Sequence, residues 1–289
     1  MKLGTRGSKL ALAQAGTCAR LLEAARPGLK VELVVIKTSG DQKADIALSS
    51  AGGAGLFTKE LEDALLAGVI DAAVHSLKDL PTKSALGLHL AAVSTREDWR
   101  DAWLSPVEFS ALPPGSLVGT GSPRRRAQLA QLRPDLKFAE FRGNVDTRLR
   151  KLEEGQVAGA VLAAAGLKRL GQLGLSRSLF SAEQMLPAPG QGFLALECRA
   201  DDAPSAGILA ALDDAAAHAA SDAERAFLDR LGAGCHAPVG ALAEGRLLQG
   251  FTQNSDGRVF RGSLEGAMGA DLGKKLAETL ISQGAELTR

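Results

Sequence analysis

Residues 2–38 read KLGTRGSKLALAQAGTCARLLEAARPGLKVELVVIKT, and they hold three elements in order. KLGT is a short strand-like run, SKLALAQAGTCARLLEAA keeps apolar residues at helical spacing, and after a Pro-Gly break KVELVVIKT is rich in β-branched residues. Strand, helix and strand joined by short turns form a βαβ unit, which predicts a mostly parallel sheet covered by helices. The rhythm continues through FTKELEDALLAG as helix and DAAVHS and LHLAAVS as strands. After Pro106 and the PPG at 113–115 a second alternation begins: SLVGT, a helix through RRRAQLAQL, LKFAEF, a helix through VDTRLRKLEEG, then GAVLAAA. The run GQGFLALECR at 190–199 reads as a strand returning to the first sheet. From about residue 214 the pattern changes to a helix, AAAHAASDAERAFLDRL, a strand pair, GRLLQGFTQ and GRVFRGSLEG, and a last helix from about 271. The expected domains are 1–95 with 190–210, 96–189 and 214–289.

The length of 289 residues exceeds one hydrophobic core and accommodates these domains. The chain has no uncharged apolar run of about 18 residues and runs straight into a strand without a cleavable signal pattern, so a cytoplasmic protein without a membrane partner is expected. Cys18, Cys198 and Cys235 are odd in number and far apart, which predicts neither a disulfide framework nor a metal site.

The net charge of +1 conceals a local field, because residues 120–151 hold nine basic residues against three acidic ones. That segment is either a solvated helix face or a site for an anion. Position favours the anion. Three turns at strand ends, T-R-G-S at 5–8, T-G-S-P-R-R-R at 120–126 and R-G-N-V-D-T-R at 142–148, pair Gly or a hydroxyl with Arg. Such turns place free backbone N–H groups, hydroxyls and planar guanidinium forks around a carboxylate or phosphate. The three predict a polyanion-binding cleft between the α/β domains. VHSLKDLPTK at 74–83 sets one carboxylate, Asp79, at a further strand end, where it is either a cap or ion-pair partner or a stabiliser of a cation on an anionic substrate. His75 beside it is expected to anchor the loop from within the fold.

The motifs TRGSKLALAQA (5–15), GGAGLFTKEL (52–61), AVHSLKDLPT (73–82), VGTGSPRRRAQL (118–129), FRGNVDTRLRKL (141–152), AGLKRLG (165–171), LPAPGQG (186–192) and GAGCHAPVG (232–240) run in order along the chain. Together they resemble the porphobilinogen deaminase (hydroxymethylbilane synthase) family. The resemblance implies an α/β fold of two periplasmic-binding-protein-like α/β domains around a cleft plus a small α+β C-terminal domain. It implies a transferase that joins four porphobilinogen molecules head to tail, releasing ammonia each time, into the linear tetrapyrrole hydroxymethylbilane for haem and related pigments. The chain would be primed on a covalent dipyrromethane cofactor held through a thioether by Cys235. Asp79 matches the catalytic aspartate. Ser8, Lys78, Asp79, Thr120, Ser122, Arg124, Arg125, Arg142 and Gly143 match cofactor-binding positions, and Arg6, Ser8, Arg142, Arg148 and Arg169 match substrate-binding ones. A monomer is implied, with no nucleic-acid partner and no metal. Ala54 and Ser50 depart from the family, which often carries lysines there, in a segment expected to be a loop over the cleft. A small-anion receptor of periplasmic-binding type is the alternative reading. A nucleic-acid binder is disfavoured by the absence of Tyr and an aromatic content of 4%.

Overall fold

The computed structural model describes residues 1–38, 58–234 and 237–287. The chain folds into two compact units, Met1–Glu97 with Gly192–Ala219, and Asp98–Gln191 with Ala220–Arg289.

In the first unit β1 (Lys2–Arg6) pairs in parallel with β2 (Glu32–Ile36) and with β3 (Ala72–Ser76). On the other side of β3, β10 (Leu194–Arg199) runs antiparallel to it and to β4 (Leu88–Val93), giving the order β2-β1-β3-β10-β4. Helix α1 (Lys9–Ala25) buries Ala15, Cys18, Ala19 and Leu22 against Leu3, Val74 and Leu196, because these positions recur on one helical face. It stops at Arg26, whose successor Pro27 disfavours a helical residue before it. Leu22 is fully buried, and truncating it to Ala would cost about 2–5 kcal/mol. Helix α2 (Lys59–Leu66) buries Leu61 and Leu65 with Ile70, Ala73 and Leu88, and α6 (Ala203–Leu209) buries Leu209 in the same cluster as Leu22 of α1.

The second unit has a sheet of the order β7-β6-β8-β5-β9, built from β5 (Asp101–Leu104), β6 (Leu117–Gly119), β7 (Lys137–Ala139), β8 (Gly159–Ala163) and β9 (Ser178–Leu179). Helices α3 (Pro123–Leu132), α4 (Val145–Glu153) and α5 (Ala164–Arg169) follow β6, β7 and β8. Trp103, Leu129, Val161 and Met185 form its core, with Phe109 edge-on to Trp103 at 5.2 Å. Gly159 is required there, since a Cβ would lie 2.1 Å from the Trp103 ring. The remaining residues of this unit form an antiparallel sheet, β11 (Val239–Glu244), β12 (Leu247–Gln253) and β13 (Val259–Glu265). Phe227 and Leu231, at the end of α7 (Ala215–Arg230), pack there with Leu248 and with Leu276 and Leu280 of α8 (Ala270–Ser282).

The α/β class, the return of 190–199 to the first sheet and the α+β C-terminal part agree with the sequence reading. The expectation of mostly parallel sheets does not hold. In each five-stranded sheet two of the four pairings are antiparallel. A parallel neighbour needs a crossover from a preceding strand, whereas β10 enters after the chain has passed through residues 94–193, so no local crossover sets its direction. Strands β5, β9 and β11 were not anticipated.

Candidate functional site

In the first unit, Ser8 caps α1: its Oγ accepts from the Ala11 N–H at 3.2 Å, while Thr5 Oγ1 donates to the Ala11 carbonyl at 3.1 Å. The T-R-G-S turn is thereby fixed, with Arg6 half-buried at the end of β1. Strand β3 is buried through His75 and leads into a single 3-10 turn, Leu77–Asp79. Leu77 and Leu80 sink into the core on either side, and the Leu80 N–H donates to the Leu77 carbonyl at 3.1 Å. Between these anchors Lys78 is half-buried and Asp79 is exposed. Among the described residues the Asp79 carboxylate accepts no hydrogen bond and enters no ion pair, so neither the cap nor the salt bridge accounts for it. His75 sits inside the fold with Nε2 3.5 Å from Glu197 Oε2, both side chains being buried.

In the second unit the turn after β6 is built from hydroxyls. The Ser122 N–H donates to Thr120 Oγ1 at 3.2 Å, and Ser122 Oγ accepts from the Arg125 N–H at 3.4 Å as the N-cap of α3, with Pro123 opening the helix. The arginine triplet then divides. Arg126 is exposed, whereas Arg124 and Arg125 are 3% and 6% exposed and converge on Asp101, which is fully buried at the head of β5. Arg124 Nη1 donates to Asp101 Oδ2 and to the Leu186 carbonyl, both at 2.7 Å. Arg125 Nε and Nη2 donate to Asp101 Oδ1 at 3.1 and 2.7 Å, and its Nη1 donates to the Val161 carbonyl at 3.0 Å. Gln191 Nε2 adds a fourth donor to Asp101 at 3.0 Å. The solvated-face reading therefore fails for two of the three arginines.

Burial alone would push the Asp101 carboxyl up, but the charges of Arg124 and Arg125 and their hydrogen bonds outweigh it and hold that carboxyl well below the usual range. Arg124 moves down from its ordinary value through burial and then the like charge of Arg125, against the pull of Asp101. A carboxyl lowered by folding contributes stability that is present above its unfolded value, about 3.9, and is lost as pH falls through the folded range. Asp101→Asn should thus lower stability at neutral pH by about 3–5 kcal/mol, since it leaves two buried cations uncompensated. It should also flatten the loss of stability below about pH 4. Denaturant unfolding at a series of pH values measures both, and a parent-like acid slope in the variant would refute the ionised state.

The R-G-N turn before α4 needs Gly143: its φ is +111°, and a Cβ would lie 2.8 Å from Thr147 Cγ2. Arg148 Nε reaches back to the Gly143 carbonyl at 2.8 Å, and Lys151 Nζ to the Arg142 carbonyl at 3.2 Å. Arg142 pairs with exposed Glu140 at 2.7 Å, a contact solvent keeps weak and a stronger anion can displace. Arg169, half-buried, ends α5. The structure thus brings Arg142, Gly143 and Arg148 into one turn and Thr120, Ser122, Arg124 and Arg125 into another. A set of hydroxyls, guanidinium groups and a helix N-terminus suits carboxylates or another anion. Cys235 and the segment 49–55 with Ser50 and Ala54 lie outside the described residues. Sequence reasoning missed Asp101 and Gln191. The available signal was a lone acid heading the otherwise apolar D-A-W-L run, a position that demands a buried cation. Among the described residues no helix is long and apolar enough to cross a membrane.

Two family models match the chain: porphobilinogen deaminase, dipyrromethane cofactor-binding domain, over residues 1–206, and porphobilinogen deaminase, C-terminal domain, over residues 219–282. Porphobilinogen deaminase of Syntrophus aciditrophicus (strain SB) is 47% identical over 298 residues, covering 99% of this chain and 97% of that protein. The one from Roseiflexus sp. (strain RS-1) is 50% identical over 290 residues, covering 98% and 96%. Among solved structures, a nutrient-binding protein from Burkholderia cenocepacia bound to methionine aligns at 14% identity and a TM-score of 0.45, over 80% of this chain and 95% of that one.

Proposed function

The chain belongs to the porphobilinogen deaminase family, and from that premise we propose how its residues divide the work. It is a transferase that condenses four porphobilinogen molecules into hydroxymethylbilane on a dipyrromethane cofactor. The small-anion receptor is not favoured, since the family match takes in both the cofactor-binding part and the C-terminal domain.

Asp79 is the catalytic carboxylate in this reading. The observation that carries it is an exposed carboxylate, held by a buried strand and two leucine anchors, with no partner among the described residues. In each condensation the C–N bond of the aminomethyl group breaks and ammonia leaves, a C–C bond forms to the free carbon of the terminal pyrrole, and that carbon loses its proton. Asp79 accepts the pyrrole N–H of porphobilinogen, stabilises the cation that appears as ammonia departs, and takes up the proton displaced by the new bond. The covalent cofactor supplies the terminal pyrrole on which the product is built. Ser8, Lys78, Thr120, Ser122, Arg124, Arg125, Arg142 and Gly143 hold the cofactor's carboxylates, while Arg6, Ser8, Arg142, Arg148 and Arg169 take those of the substrate and growing chain. The division into 1–95 with 190–210, 96–189 and 214–289, supported by three separate sheets, belongs to the same proposal, as do a monomeric state and a cytoplasmic location.

Incubation with porphobilinogen tests the activity: the substrate should disappear with release of one ammonia per molecule consumed and formation of a linear tetrapyrrole. Saturable binding without consumption would favour the receptor. Replacing Arg142 or Arg148 by Leu removes a carboxylate clamp and should lower affinity about tenfold or more per lost charge-assisted contact. The expected readout is a changed ladder of enzyme-bound intermediates by mass. A parent-like ladder and product yield in both variants would assign the two arginines to the surface.

A further inference from the structure

The cluster at the start of α3 holds more positive charge than its own fold neutralises. Arg124 and Arg125 contribute two cations, and among the described residues Asp101 is the one carboxylate paired with them, which leaves one net positive charge in a site shielded from solvent. Not every donor is used. Among the described residues the buried Arg124 Nε has no hydrogen-bond partner, and Arg124 donates through Nη1 alone. Both arginines lie in the first turn of α3, beside the Ser122 cap and the Thr120 hydroxyl. Asp101 reaches them from β5, the Leu186 and Val161 carbonyls fix one guanidinium each, and Gln191 holds Asp101 from the P-G-Q-G turn while donating to the Trp99 carbonyl at 2.8 Å. Gln191 follows Gly190, whose N–H donates at 2.7 Å to Glu224, a buried carboxylate of α7.

We infer that Asp101, held by Gln191, is a positioning residue: it sets the planes of the Arg124 and Arg125 guanidinium groups so that the T-G-S-P-R-R turn keeps one net positive charge and oriented N–H donors for a carboxylate of the cofactor. This rests on the assignment of the cofactor to this chain, and it goes beyond that assignment by naming two residues that touch no ligand. A second carboxylate would cancel the remaining charge, and none would leave each guanidinium held by a single backbone carbonyl and free to rotate about it. A single buried acid facing two arginines orients both and neutralises only half of their charge.

The test compares four variants of the full chain, Asp101→Asn, Asp101→Glu, Gln191→Met and Leu129→Ala, the last a buried core position of the same helix away from the cluster. For each, the thermal midpoint and the fraction of denatured protein carrying the cofactor's added mass are read. Asp101→Asn and Gln191→Met should lose about tenfold of the loaded fraction, the size expected for a lost charge-assisted contact. Leu129→Ala should keep the parent fraction at a comparable drop in midpoint, and Asp101→Glu should restore loading above Asp101→Asn because it keeps the charge. If loading follows the midpoint alone across all four, the cluster is structural and the inference is overturned. Should Asp101→Asn fail to fold, Gln191→Met decides: parent-like loading overturns the inference and reduced loading supports it. An absence of added mass in the parent protein instead refutes the cofactor assignment itself, so the two failures are distinguishable.

Discussion

Asp79→Asn should fold and bind porphobilinogen like the parent protein and turn it over about 10²–10⁴-fold more slowly, the range for loss of a positioned acid–base group. The fold should not notice the change, because the Asp79 side chain is exposed and unpaired among the described residues, and substitutions at such positions fall within about 0.5 kcal/mol. Binding should hold because asparagine keeps the size and one carbonyl oxygen that can still accept a pyrrole N–H. The amide lacks the charge that opposes a developing cation and the basicity that takes the ring proton. A thousandfold loss corresponds to about 4 kcal/mol of transition-state stabilisation, which is within reach of one carboxylate beside a forming cation. The loss should therefore fall on kcat with KM near the parent value, and Asp79→Glu should lie between the two because it restores charge at a displaced position. Steady-state kinetics alongside a thermal melt separates these outcomes. Turnover within a few-fold of the parent would remove Asp79 from the chemistry.

The part of this site that could be read from sequence is the part set by local chemistry. A hydroxyl at a strand end followed by a helix can cap it, and Ser8 and Ser122 both cap their helices while standing in the turns read as an anion site. The buried run ending at His75 declares a strand by composition, and the turn that presents Asp79 follows from the two leucines beside it. Long-range partners decide the rest. Arg124, Arg125 and Arg126 are identical letters, yet two are buried because Asp101, twenty-three residues before the first, heads β5, a strand of the same sheet. Nothing local distinguishes them. Sheet direction failed for the same reason: β10 takes its place from the return of the chain to the first sheet, not from the residues that precede it. The short strand β11 escapes a reading by composition because V-G-A-L-A-E holds no β-branched or aromatic residue beside its single valine, and its register is set by pairing with β12.

Cys235→Ser should abolish the cofactor's added mass and with it nearly all product formation. The chain has three cysteines, and two are poorly placed to trap an electrophile. Cys18 is buried in the core face of α1. Cys198 is buried in β10, where burial and then the charge of Asp202 push its thiol up to about 11, so its thiolate is scarce near neutral pH. Cys235 is the one that stands in the G-A-G-C-H motif of the family resemblance, between Gly234 and His236. A permanent thioether requires a single encounter with an electrophilic pyrrole, and serine, whose hydroxyl stays protonated at neutral pH, makes a far weaker nucleophile for that encounter. The parent protein, denatured and weighed intact, should therefore exceed its sequence mass by one dipyrromethane, with the addition mapping to the peptide that contains Cys235. Cys18→Ser and Cys198→Ser should keep it. Loss of activity in Cys235→Ser together with loss of the mass, in a protein that still unfolds in one cooperative transition, ties the primer to this sulfur, because a folding defect would abolish that transition, whereas loss of a bound group only shifts it. Freshly purified protein that is fully active at its bare sequence mass would overturn the covalent anchor, since condensation would then proceed from a free pyrrole and Cys235 would have no part in it.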